Sequence, residues 1–72
     1  MDRSARRGRV TAFDDRRGLG TVRDGAGAEV GFHCTEIADG TRTIEPGAEV
    51  AYRVVPGRLG QWEAATLVTL ER

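Results

Sequence analysis

Gly8-Arg9-Val10-Thr11-Ala12-Phe13-Asp14 and Arg17-Gly18-Leu19-Gly20-Thr21-Val22 are two short runs joined by a charged turn, Asp14-Asp15-Arg16-Arg17-Gly18. In the second run, Leu19 to Arg23 alternates with the period of a strand. It puts Gly20 and Val22 on one face and Leu19, Thr21 and Arg23 on the other. In the first run the inward candidates are Val10 and Phe13. Their spacing of three rather than two predicts a bulge or bend between them. Two strands closed by a short polar turn make a hairpin, and the rest of the chain continues in the same style.

Asp24-Gly25-Ala26-Gly27 predicts the next turn. Glu29 to Cys34 then reads as a third strand, with Val30 and Phe32 inward and Gly31 and His33 outward. Thr35 to Pro46 is a longer connection, with Ile37 and Ile44 as its anchors to the core. Ala48 to Val55 alternates most cleanly, placing Val50, Tyr52 and Val54 inside. Pro56-Gly57-Arg58-Leu59-Gly60 turns the chain again, and a last strand falls within Gln61 to Leu70. No stretch keeps a 3.6-residue apolar period long enough for a helix. Five strands in one meander predict an all-β, five-stranded antiparallel barrel spanning 8–70, behind a flexible Arg-rich arm at 1–7. An SH3-like barrel fits the periodicity almost as well.

Seventy-two residues allow one small domain. The larger apolar side chains are seven Val, four Leu, two Ile, two Phe, Tyr52 and Trp62, enough for one core. No apolar run approaches the ~20 residues of a membrane helix, and the Arg-rich start leads into no signal-like apolar stretch. A single cysteine forbids an internal disulfide, so a cytoplasmic setting and no membrane partner are expected. Net charge is zero but uneven. Residues 1–23 carry seven Arg and three Asp, and residues 24–72 carry four Arg and eight acids. A basic first third suits an anionic partner, while the pI near 6.6 opposes strong non-specific nucleic-acid binding.

Catalysis finds no support in the residues. His33 and Cys34 are adjacent, so on a strand they point to opposite faces and cannot act as a base and nucleophile. One His and one Cys do not make a zinc site. Gly18-Leu19-Gly20 and Gly25-Ala26-Gly27 lack the spacing and the following helix of a phosphate-cradling loop. A non-enzyme without cofactor or metal is expected.

Taken in order, these segments resemble the cold-shock domain. Gly8–Asp14 is similar to that family's Gly-Lys-Val-Lys-Trp-Phe-Asn, Arg17–Val22 to its Lys-Gly-Phe-Gly-Phe-Ile, and Val30–Cys34 to its Val-Phe-Val-His-Phe. Gly40–Ile44, Glu45-Pro46-Gly47, Gly60 and Ala64-Ala65-Thr66 resemble its later segments. The resemblance covers roughly residues 8–70. It implies a barrel of the oligonucleotide-binding kind that takes single-stranded RNA or DNA by stacking bases on outward aromatic side chains. At the family's aromatic positions this chain has Ala12, Leu19, Thr21, Gly31, Cys34 and Thr41. Phe13, His33 and the Gly18/Gly20 framework are retained. Each stacked base contributes ~1–3 kcal/mol, so the resemblance implies weak binding with little sequence preference.

The resemblance implies phosphate contacts from Arg9, Arg17 and Arg58, and a base-facing surface of Phe13, Leu19, Thr21 and His33. Arg16 and Arg23 belong to the same basic group, whose field Asp14, Asp15 and Asp24 weaken. The same arginines also read as solvated charges, Arg16 and Arg17 pairing with Asp14 and Asp15. Two roles are open for Phe13, contact or core. Trp62 has no counterpart in the family pattern, and either caps the barrel or forms part of a relocated contact surface. The alternative to nucleic-acid binding is a barrel kept as a scaffold for a protein partner, or for self-association through an exposed strand edge.

Overall fold

The computed structural model describes residues 5–57 and 60–70. The strands among them are β1 (Ala5–Asp14), β2 (Leu19–Asp24), β3 (Glu29–His33), β4 (Glu49–Pro56) and β5 (Trp62–Thr69). One 3-10 turn, Cys34–Glu36, follows β3. The strands close into a barrel in the order β1-β2-β3-β5-β4, with β4 returning to β1. The all-β, five-stranded barrel is therefore as the sequence predicts. No helix among the described residues is long and apolar enough to cross a membrane.

Three expectations are corrected. The chain is not a simple meander, because β4 pairs with β1 and β5 lies between β3 and β4. Nor is every seam antiparallel: β3 meets β5 in parallel at Gly31 and Glu63, while the other four seams are antiparallel. Finally, β1 begins at Ala5, inside the segment expected to be a flexible arm. Ala5, Arg6 and Arg7 pair with Arg53, Tyr52 and Ala51. Their side chains are exposed, so hydropathy cannot reveal a strand that β4 holds by its backbone. Residues 1–4 of that arm lie outside the described residues.

β1 serves two neighbours at once. Ala5–Arg9 pair with β4 and Gly8–Asp14 with β2. It must therefore bend, and two features permit this. The register shifts between Val10 and Ala12, which is the bulge that the Val10–Phe13 spacing predicts. At Gly8, where both neighbours meet β1, a Cβ would collide with the carbonyl of Arg23. β5 carries the matching irregularity opposite Ala51 and Arg53. There Thr66 takes a φ of 53°, and its N–H donates to Glu36 Oε1 at 3.1 Å. Ala64 and Leu67, three apart, thus both point inward.

The core comprises Val10, Val22, Phe32, Ile37, Ile44, Val50, Tyr52, Ala64 and Leu67. Ile37 and Ile44 anchor the long connection as expected; Ile37 bridges to Leu67, whose carbonyl accepts the Ala38 N–H at 2.8 Å. Gly20 pairs with Phe13 on one side and Phe32 on the other. The two rings lie parallel, 6.0 Å apart, across the backbone position where Gly20 has no side chain. A Cβ on Gly20 would sit 2.5 Å from Phe32 Cζ and 2.8 Å from the Ala12 carbonyl oxygen.

Two predictions follow from this packing. Gly20→Ala forces Phe32 and backbone apart and should cost about 1–3 kcal/mol in chemical denaturation; an unchanged midpoint would refute the close approach. Tyr52, the single tyrosine, has its hydroxyl pushed above the ordinary value of 10.0 by burial and then by Asp24, with Arg6 acting the other way. The folded state thus holds the phenolic proton more tightly than the unfolded chain. This stabilisation is complete below about pH 10 and is lost as pH rises through the folded value. Phenolate absorbance of the folded protein should appear at higher pH than in denaturant, and coincident titrations would contradict the burial.

Candidate functional site

The barrel register arranges the outward residues of β1, β2 and β3 in rows. Asp14, Leu19 and His33 form one row, and Ala12, Thr21, Gly31 and Glu63 the next. Arg9, Arg23 and Glu29 form a third. The middle row is low, built of a methyl, a hydroxyl and a glycine. A Cβ on Gly31 would meet nothing closer than the Gly20 carbonyl oxygen at 3.6 Å, so open space lies above it. Leu19, at 41% exposure, and His33 stand beside this depression.

Polar contacts tie the third row together. The bulge turns Thr11 toward β2, where its hydroxyl lies 2.6 Å from that of Thr21 and 2.9 Å from Glu29 Oε2. The same carboxylate oxygen lies 3.7 Å from Arg23 Nη2. Arg9 Nη1 donates to the Gly47 carbonyl at 3.0 Å. Two of the basic groups on this face are therefore already engaged, and a carboxylate stands among them. The neighbouring turn is rigid. Asp14 Oδ1 accepts the backbone N–H groups of Arg16 and Arg17 at 3.1 and 3.2 Å. Asp14 thus organises the turn's backbone, in place of the expected side-chain pairing across it. Cys34 N–H donates to the Gly18 carbonyl at 2.8 Å, docking that turn against the end of β3. Ion pairs at Arg6–Asp24 and Arg7–Glu49, both 3.8 Å, join exposed arginines to less exposed carboxylates; with the cationic partner in water they contribute little.

Among the residues singled out from sequence, Leu19, Thr21 and His33 come together on one face, with Arg17 on the adjoining turn and Arg9 at the far row. Phe13 falls on the other side of the sheet with Gly20 and Phe32, its half-buried ring packed toward the core. The register thus places its ring on the core side of the sheet. Arg58 lies outside the described residues. Cys34 is half-buried and packs against the core, away from exposed His33. Thr41 is held in its loop by Asp39, whose Oδ1 accepts the Thr41 N–H at 3.0 Å and its hydroxyl at 2.8 Å. These bonds lower the Asp39 pKa. Among the described residues, no three His, Cys, Asp or Glu side chains group to hold a metal ion.

A cleft of about 250 Å³ borders this face. Leu19 and His33 line one part of it, Gly20, Gly31 and Phe32 another, and Gln61, Trp62 and Glu63 a third. Trp62 is 59% exposed and does not cap the barrel. It also lines a second cleft of about 400 Å³ with Tyr52, Val54 and Val30. Sequence reasoning missed the β5 side of the first cleft, since its register was open and strand order is not written in periodicity.

Residues 6–70 match the family model described as the 'Cold-shock' DNA-binding domain. The chain belongs to the cold-shock domain family. It is 37% identical over 65 residues to cold shock protein CspB of Bacillus caldolyticus, covering 89% of this chain and 97% of that protein. Against cold shock protein CspD of Bacillus subtilis the identity is 34% over 64 residues, covering 88% and 96%. Among solved structures, Drosophila Unr CSD456 superposes with a TM-score of 0.77 at 25% identity. That likeness covers 93% of this cold-shock domain and 27% of the longer chain.

Proposed function

We propose that this cold-shock domain binds single-stranded RNA or DNA weakly, with little sequence preference, across the outer face of β1–β3. The observation that carries the reading is the alignment of Leu19, Thr21 and His33 on one exposed face, in a chain whose family model is described as DNA-binding. Arg17, Arg9 and Arg58 contact phosphates, and His33 and Leu19 meet bases. Phe13 contributes by holding the sheet beneath them. Weakness has two physical sources. The face is low where the family pattern stacks aromatic rings, and each missing stack removes about 1–3 kcal/mol. Glu29 and Asp14 also stand among the cations and oppose a phosphate chain.

Binding is read by fluorescence anisotropy of labelled single-stranded oligonucleotides of both kinds at low and physiological salt. Three arginine–phosphate contacts predict a slope of log affinity against log salt of roughly −2 for single strands. Arg17→Ala should reduce that slope by about 0.7, and His33→Ala should weaken binding with the slope unchanged. No saturable binding by the folded domain at low salt would sink the reading and turn the face over to a protein partner. The acidic groups and flat centre of the face would suit such a partner.

Rebuilding the surface is the complementary test. The open space at Gly31 and the small side chains at Ala12 and Thr21 leave room for rings. Ala12→Trp with Thr21→Phe should raise affinity at least tenfold for two added stacks, given about 1–3 kcal/mol each. Absence of any gain, with the barrel still folded, would show that nucleic acid does not use this face.

A further inference from the structure

Among the described residues Trp62 is the most exposed large apolar side chain, at 59% against 46% for Val68 and 41% for Leu19. Its backbone is nonetheless firmly placed. Trp62 pairs with Pro56 across the β4–β5 hairpin, and the Gly57 N–H donates to the Gln61 carbonyl at 2.6 Å just before it. The parallel seam sets Glu63 beside Gly31. Trp62 therefore stands at the border of the β2–β3 face. It shares a cleft of about 250 Å³ with Leu19 and His33, over glycine backbone at positions 20 and 31.

We propose that Trp62 is a nucleobase-stacking platform, and that this cleft seats one base of the single strand crossing the β1–β3 face. The inference rests on the nucleic-acid reading above and extends the contact surface onto β5. Two observations point to a base. The space above Gly31 is open, and Trp62, next to the Glu63 that pairs with Gly31 across the seam, brings an exposed ring to the same cleft, where Phe32 of β3 is buried in the core. The charge of the described lining also favours a base over a phosphate. That lining contains no arginine, and Glu63 adds a carboxylate, which repels phosphate but accepts hydrogen bonds from the N–H groups of a base edge. An exposed indole held by a closed hairpin loses little freedom on stacking, which favours its use as an anchor.

Trp62 is the only tryptophan, so its emission reports on this position alone. Single-stranded RNA and DNA oligonucleotides are titrated into the whole domain while emission and the anisotropy of a labelled strand are read in parallel. A duplex of the same sequence serves as control, since its bases are already stacked. The expected result is quenching by single strands that saturates together with anisotropy, and none by the duplex. Trp62→Leu keeps an apolar side chain without the ring and should weaken binding about tenfold. Its thermal unfolding midpoint should match the parent protein. Should Trp62→Leu fail to fold, quenching of the parent domain decides alone. Saturable anisotropy with unchanged emission would overturn the platform and leave the nucleic-acid reading intact, as would parent-like affinity of folded Trp62→Leu. No anisotropy change at low salt would remove the nucleic-acid reading itself, and the platform with it.

Discussion

A closed barrel of five strands cannot be antiparallel all round. Directions alternate from neighbour to neighbour, and an odd number leaves one pair running the same way. In this domain that pair is β3 and β5, joined at Gly31 and Glu63. Everything else accommodates this closure. β1 bends at Gly8 and at the Val10–Ala12 bulge so that it can serve both β2 and β4. β5 shifts register at Thr66 so that Ala64 and Leu67 both reach the core. The long connection after β3 inserts Ile37 and Ile44 into that core, with Ile37 against Leu67.

The closure also determines what the outer face can do. Inside the sheet, Phe13 and Phe32 lie parallel across Gly20, and that contact forbids even a methyl group at position 20. Outside, the same three strands present Ala12, Thr21 and Gly31, a low row flanked by Leu19 and His33. The aromatic residues of β1 and β3 thus support the face from within. The exposed ring belongs to β5, which the parallel seam brings alongside. Charge follows a similar economy: Arg9 and Arg23 each already have a partner in Gly47 or Glu29.

Much of this was legible in the sequence, and the exceptions have physical causes. Alternation in Leu19–Arg23, Glu29–His33 and Val50–Val54 revealed which side chains face inward, because one face of each strand meets the core. The three-residue spacing of Val10 and Phe13 revealed the bulge. Ala5–Arg7 stayed hidden because their pairing with β4 is a matter of backbone, and their side chains remain in water. Strand order was hidden for a related reason: periodicity reports burial, whereas adjacency depends on contacts distant in sequence. The role of Phe13 depended on which side of the bulge it fell, and the exposure of Trp62 on where β5 begins. The Thr11–Thr21–Glu29 contacts join three strands and leave no local trace.

The central claim is that the outer face of β1–β3 receives single-stranded nucleic acid. Amide chemical shifts of the isotopically labelled domain, followed during titration with a short single strand, test it most directly. The account predicts that the shifting amides cluster at Arg17, Leu19, Thr21, Gly31 and His33, with the core amides of Val50 and Tyr52 unmoved. Shifts confined to other surfaces, or none at saturating strand, would contradict it.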